Sequence, residues 1–297
     1  MEDQAKKLRD LMRKTKTLEN NTIVEKKAKT LAIASGKGGV GKTNFAVNLA
    51  ISLKHLGYSV LVFDADIGLS NIEILTGVST QYTIVDLILK NKSIYDIMEE
   101  GPDGIKIISG GFGFHDLSVI NDEVLNNLLT EIEKLENYFD FIILDIGAGI
   151  SNIVLGFTMA SDEVIIVTTP DPTSSMDAYA LIKALTINGY TGKINIVTNI
   201  VENRKDAINA FEKLNKVSNN FLNIQLEFLG YLERTNIVNE AVRKQQPFLL
   251  LNPSSNVSKR VNIMALKFVN HPIPKEEKKL SFTQKLKFLF LKGVGRN

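Results

Sequence analysis

The sequence predicts a doubly wound α/β fold, a mainly parallel sheet with helices on both faces. Three observations predict it. Short runs that are apolar at nearly every position alternate with longer segments of helical period. Strands apolar on both faces belong to parallel sheets that helices cover on either side. A glycine-rich loop joins the first such run to the first helical segment, where an open α/β sheet places its ligand. The 297 residues, 44% of them hydrophobic, suit one large domain with appendages.

The first run, Leu31-Ala32-Ile33-Ala34, enters Ser35-Gly36-Lys37-Gly38-Gly39-Val40-Gly41-Lys42-Thr43, which fits G-x-x-x-x-G-K-[ST]. A helical pattern follows through Ala46, Leu49, Ala50 and Leu53. Glycines let backbone N–H groups turn toward an anion, and the helix N-terminus adds partial positive charge. Lys42 is then expected at the β- and γ-phosphates of a nucleotide, and the Thr43 hydroxyl at Mg²⁺. Lys37 is a second cation that such a loop does not need. It is either an exposed lysine of no consequence or a group reaching across the mouth of the site.

Gly57 ends the helix, and Tyr58–Phe63 forms a strand that delivers Asp64-Ala65-Asp66 to the ligand edge of the sheet. Two carboxylates one residue apart can orient a metal-bound and an attacking water, although Asp-x-Asp also occurs in ordinary strand-end turns. Residues 72–104 read as helical pieces with Gly and Pro breaks. Ile105–Ser109 is a strand, 124–135 a helix, and Phe139–Asp145 an apolar strand ending in an aspartate that faces the same edge. Glu163–Pro170 is a further strand, and Asp171-Pro172-Thr173 opens a helix with capping residues. Ile194–Asn199 and Phe228–Glu233 complete the strands.

The ends differ from the body. Residues 1–30 hold nine basic and five acidic side chains and residues 275–297 seven and two, leaving 19 basic and 26 acidic between them, a net of −7. An acidic body argues against a broad grip on nucleic acid, and basic ends suit a partner or an anionic surface. Residues 3–12 make a short amphipathic pattern, with Ala5, Leu8, Leu11 and Met12 on one side. This is either a frayed terminus or a tethered peptide that docks elsewhere. After Pro272 and Pro274, Phe282, Leu286, Leu289 and Phe290 share a helical face, with Lys285, Lys287 and Lys292 beside it. That face suits a lipid surface or a last helix packed on the domain. With no cysteine there is no disulfide and no cysteine-ligated zinc or iron–sulfur cluster. No secretory signal is visible at the N-terminus, so a cytoplasmic location is expected.

The loop K-G-G-x-G-K-T, from Lys37 to Thr43, resembles the deviant Walker A motif of the MinD/ParA ATPases. Asp64–Asn71 resembles their switch I, Asp145-Ile146-Gly147-Ala148-Gly149 their Walker B and switch II, and Thr169–Tyr179 a further family segment. Upstream, Asp3-Gln4-Ala5 with Leu8-Arg9 resembles the D-Q-A-x-x-L-R signature of the FlhG (YlxH, FleN) branch, which controls flagellar number and placement. The resemblance implies a MinD-like P-loop fold, ATP and Mg²⁺ as cofactors, and slow, switch-type hydrolysis. Lys37 would reach the nucleotide of a facing subunit and so act in catalysis with Asp66, which positions water. Thr43, Asp64 and Asp145 would hold the metal, and Gly147 would sense the γ-phosphate. Asn199 would read adenine, though a helix N-cap is the plainer use of that residue, and Leu232 and Glu233 would flank the base.

The same resemblance divides the chain into a partner-activating helix at 1–13, a linker at 14–29, an ATPase domain at 30–272, a linker at 273–279 and a membrane-targeting helix at 280–297. The implied partners are a second copy on ATP binding, an FlhF-type GTPase, flagellar basal-body or C-ring components and an anionic membrane, with reversible peripheral attachment to its inner face. Specific nucleic-acid binding is not expected. A division-site MinD, a chromosome-partition ParA and a nucleotide-responsive binding protein without significant turnover are the rival readings. The Asp3-Gln4-Ala5 segment speaks against MinD, and the acidic body with its amphipathic tail against ParA.

Overall fold

The computed structural model describes residues 27–65, 71–90, 92–110, 122–269 and 280–292. The partner-binding residues Asp3, Gln4, Ala5, Leu8 and Arg9, the switch residue Asp66 and the linker 273–279 lie outside them.

Eight strands form one sheet: β1 Lys29–Ser35, β2 Val60–Ala65, β3 Met98–Glu100, β4 Lys106–Ser109, β5 Phe141–Ala148, β6 Glu163–Thr168, β7 Lys193–Val201 and β8 Glu227–Glu233. Their order is β3-β4-β2-β5-β1-β6-β7-β8. All neighbours run parallel except the edge pair β3–β4. The helices are α1 Lys42–His55, α2 Asn71–Thr76, α3 Ile84–Lys90, α4 Asp122–Tyr138, α5 Asn152–Ala160, α6 Pro172–Ile187, α7 Arg204–Leu222, α8 Asn236–Arg243, α9 Phe248–Leu251, α10 Asn256–Val269 and α11 Phe282–Lys292.

Alternation along each strand divides the core. Leu31 and Ile33 of β1 pack with Val62, Ile143 and Ile165 under α1 and α10. Ala32 and Ala34 face the other way, with Phe63, Leu144 and Ile166 under α4, α5 and α6. Both faces are dry, so the strands carry continuous apolar runs rather than alternating ones. The predicted architecture is therefore the observed one. One detail is corrected: residues 72–104 are not only helical, because Met98–Glu100 folds back antiparallel on β4 and covers that sheet edge.

The C-terminal segment takes the second of its two expected places, packed on the domain. Its apolar face is not free. Phe282 and Leu286 are buried in the same core as α4 and α5, and Leu289 packs against it. The Phe282 ring stacks on Phe157, with centroids 6.4 Å apart. The side chain of Phe290 lies outside the described part. Full burial of two large apolar side chains is worth about 1.5–3 kcal/mol each. Polar ties add specificity. The helix opens with a capping box: the Gln284 amide N–H donates to Ser281 Oγ and the Ser281 N–H to Gln284 Oε1. Buried Glu136 of α4 accepts from the Thr283 N–H (2.6 Å) and hydroxyl (3.0 Å). Its other oxygen lies 3.4 Å from Lys27, where the chain enters β1. Lys285 pairs with Asp162 at 3.0 Å. No helix among the described residues is long and apolar enough to cross a membrane.

Glu136 thus joins the entrance of β1 to the start of α11. Burial lowers the Lys27 pKa, but Glu136 and Glu133 more than offset this and raise it overall. The Lys27 tie is therefore complete at neutral pH and is lost only as pH rises past the ordinary lysine range. Glu136→Ala is expected to loosen α11 by about 1.5–3 kcal/mol, the worth of hydrogen bonds to a charged acceptor. Amide exchange over 282–289 should accelerate by roughly tenfold or more while β1 and β5 stay protected. Unchanged exchange there would show that the apolar face alone holds the helix.

Candidate functional site

The glycine-rich loop leaves β1 at Ser35 and enters α1 at Lys42. Gly41 is the N-cap of α1 at φ 87°, in the left-handed region, which glycine reaches without a steric penalty. It brings no side chain to cap the helix, so the first-turn N–H groups face an incoming anion. Gly36 is glycine for a different reason. A Cβ there would fall 2.1 Å from the Asp177 carbonyl carbon of α6, so only a bare backbone lets α6 cross the loop.

The two loop lysines sit in opposite environments. Lys42 is buried, and its Nζ lies 3.3 Å from Oδ1 of Asp145, itself fully buried. Lys37 is 44% exposed. It donates to the Thr173 hydroxyl at 2.6 Å and lies 3.7 Å from the Asp171 carboxylate, at the start of α6. Asp171 caps that helix by accepting from the Thr173 amide at 2.7 Å, with Pro172 in the first turn. Hydrogen bonds from the Thr173 hydroxyl and amide, with Lys37 adding charge, hold the Asp171 carboxyl below the usual carboxylate range.

Asp64 and Asp145 stand opposite each other on the adjacent parallel strands β2 and β5, both buried. With Thr43 in the first turn of α1, they form the oxygen-rich side of the site. Among the described residues no group of three or more His, Cys, Asp or Glu side chains could hold a metal unaided. That suits Mg²⁺, which keeps several waters and binds through one or two carboxylates together with substrate phosphates. The residues therefore fit a Mg²⁺-nucleotide: the loop N–H groups and Lys42 would meet the phosphates, and Thr43, Asp64 and Asp145 the metal and its water. β5 continues three residues past Asp145, so Gly147 is a buried strand-end residue rather than part of a free loop. The adjoining Gly149 N–H donates to the Ser35 carbonyl at 3.1 Å, tying this end to the loop.

A cavity of about 410 Å³ opens beside the loop, lined by Lys37, Val40, Asp171, Ile200, Glu202 and Arg234, among others. The structure does not bring Leu232 and Glu233 to it. Leu232 is buried in the core. Glu233 forms a bidentate pair with Arg260, 2.9 Å from its Nε, and the guanidinium stacks over Tyr231. The cavity takes instead Arg234, one residue later, and its ion-pair partner Glu202 at 3.1 Å. Asn199 lies against the loop, where its amide nitrogen donates to the Val40 carbonyl at 2.7 Å, and it is not a helix N-cap, because Asn203 caps α7. Glu202 and Arg234 carry no motif of their own, and only their pairing just past the ends of β7 and β8 marks them.

A parallel sheet ending in a phosphate loop, with a buried lysine–aspartate pair and a second, exposed loop lysine, defines a P-loop NTPase of the deviant Walker A class. The ParA family pattern, described as "NUBPL iron-transfer P-loop NTPase", matches residues 26–269. The chain belongs to the MinD/ParA family of these ATPases, on its FlhG (YlxH/FleN) branch. The flagellum site-determining protein YlxH of Helicobacter pylori is 36% identical, covering 97% of this chain and 100% of its own. The antiactivator FleN of Pseudomonas aeruginosa is 33% identical, covering 82% and 87%. Among solved structures, MinD of Pyrococcus horikoshii complexed with Mg-ADP superposes with a TM-score of 0.67 at 21% identity, covering 82% of this chain and 96% of its own. The iron-transfer label does not extend to this sequence in cysteine-ligated form, because its 297 residues contain no cysteine.

Proposed function

We propose that this protein is an ATP-driven switch that works as a pair of copies on an anionic membrane and regulates flagellar number and placement. The observation that carries the reading is the contrast between the two lysines: Lys42 is built into its own site, whereas Lys37 is exposed beside the cavity and, among the described residues, held at the tip of α6. The triphosphate sits on Gly36–Thr43. Mg²⁺, when bound, neutralises charge on the phosphate oxygens. Lys37 leaves Asp171 and Thr173 and turns to the phosphates of the facing copy. Asp66, two residues beyond buried Asp64, orients the attacking water, and hydrolysis lets the copies separate. Slow turnover suits a switch, whose bound state must persist.

Pairing brings two α11 helices together, so that two weak anchors act as one stronger one. The Phe282, Leu286 and Leu289 face must then exchange its protein groove for lipid, with Lys285 leaving Asp162 for headgroups. The N-terminal segment 1–13, through Gln4, stimulates an FlhF-type GTPase. The naming of relatives as an antiactivator and as a site-determining flagellar protein supports the same setting and is compatible with basal-body or C-ring contacts.

Sedimentation with anionic liposomes tests this. With ATP the chain should pellet and with ADP it should not. Asp66→Ala should remain on the vesicles as trapped dimers, and removal of residues 280–297 should abolish pelleting. A peptide of residues 1–20 should accelerate GTP turnover by the FlhF-type partner. Release of Asp66→Ala as fast as the unsubstituted chain would overturn the role of Asp66. An inert peptide would favour the MinD-type reading.

A further inference from the structure

Asn199 is placed to shape the phosphate loop. It lies in an irregularity of β7: pairing with β8 runs through Thr198↔Tyr231 and resumes at Val201↔Glu233, skipping Asn199 and Ile200. Ile200 takes φ 57°, a left-handed conformation that a β-branched residue rarely adopts. The Asn199 side chain closes this kink. Its Oδ1 accepts from the Ile200 N–H at 2.8 Å, while its Nδ2 donates to the Val40 carbonyl at 2.7 Å, 159 residues away in the chain. The contact is close enough that a Cβ on Gly41 would fall 2.3 Å from Nδ2.

The consequence follows from peptide planarity. The Val40 C=O and the Gly41 N–H belong to one trans peptide and point in opposite directions. Holding the carbonyl toward Asn199 therefore aims the Gly41 N–H away from it, as a donor of the loop that enters α1. We propose that Asn199 is a positioning residue for the phosphate cradle, setting the orientation of the Val40–Gly41 peptide, so that it contributes to phosphate affinity whichever base the nucleotide carries. This rests on the nucleotide site proposed above. The kink at Ile200 belongs to the same device, since it brings the amide across to the loop.

The test compares MgATP, MgGTP and Mg²⁺-tripolyphosphate, which has no base, on the full chain by calorimetry. Asn199→Ala should weaken tripolyphosphate about tenfold and both nucleotides by at least as much, with stoichiometry unchanged. Asn199→Asp keeps the acceptor for the Ile200 N–H but sets a carboxylate against the Val40 carbonyl, and should weaken all three further. In amide NMR, tripolyphosphate should shift the Gly41 resonance of the unsubstituted chain and leave it in place in Asn199→Ala, a response that mere loss of stability would not produce. If tripolyphosphate affinity is unchanged while the ATP-to-GTP ratio collapses, Asn199 reads the base and the proposal is wrong. If the unsubstituted chain binds none of the probes, the nucleotide site itself is wrong and the proposal falls with it.

Discussion

Alanine at Lys42 is expected to abolish nucleotide binding and to destabilise the chain at the same time. Lys42 Nζ lies 3.3 Å from Asp145 in a buried pair. Removing one member of such a pair costs about 3–5 kcal/mol, because the remaining charge stays desolvated. In a domain of this size that lowers Tm by on the order of 10 °C. The same ammonium is the charged donor for the β- and γ-phosphates, and its loss should cost roughly 100-fold or more in ATP affinity. The two effects separate in a double substitution. Lys42→Ala with Asp145→Asn should recover part of the stability, because the buried side chain facing the lost ammonium then carries no charge, and none of the ATP binding. Thermal unfolding and ATP titration on the same samples measure both. A Lys42→Ala chain that binds ATP normally would place the triphosphate elsewhere.

Lys37→Ala should do the reverse. Its side chain is exposed and its ties to Asp171 and Thr173 are surface contacts, so stability should change little. ATP should still bind, within about threefold, a shift of under 1 kcal/mol. The ATP-dependent dimer should be lost, as read by light scattering. Asp171→Asn is the converse variant. Asparagine caps a helix as well as aspartate does, so α6 keeps its start while the charge holding Lys37 disappears, and dimers should form at lower ATP. The sign of the pH dependence follows from the lowered Asp171 pKa. The Lys37 tie is complete above the ordinary carboxylate range and is lost only as pH falls through the lowered value. Assays between pH 6 and 8 therefore read the substitution and not the titration. An unchanged dimer fraction in Lys37→Ala would reject the role of this lysine.

Much of this site is legible in the sequence because its parts are local. The spacing from Gly36 to Thr43, the apolar strand before it and the helical period after it are set by backbone geometry over a dozen residues. Asp145 is legible because an apolar run ends on it. Asn199 is visible as a strand-end residue, but its partner Val40 is not, since nothing near either residue encodes a contact across 159 positions. Glu136 reads as one more charge on an amphipathic helix, and its burial becomes visible only when Thr283 and Lys27 converge on it.

The C-terminal helix marks the boundary between the two kinds of information. Periodicity alone determines that Phe282, Leu286 and Leu289 share an apolar face that water will not tolerate bare. It does not determine what covers that face, because hydrophobic burial is non-directional and lipid and protein satisfy it equally. Direction comes from polar groups that must find partners at fixed distances, here Thr283 on Glu136 and Lys285 on Asp162. In the same way the sequence by itself determined a sheet with a phosphate loop at its edge. Only the tertiary structure decided which side chains hold that loop, because those bonds join segments that the fold alone brings together.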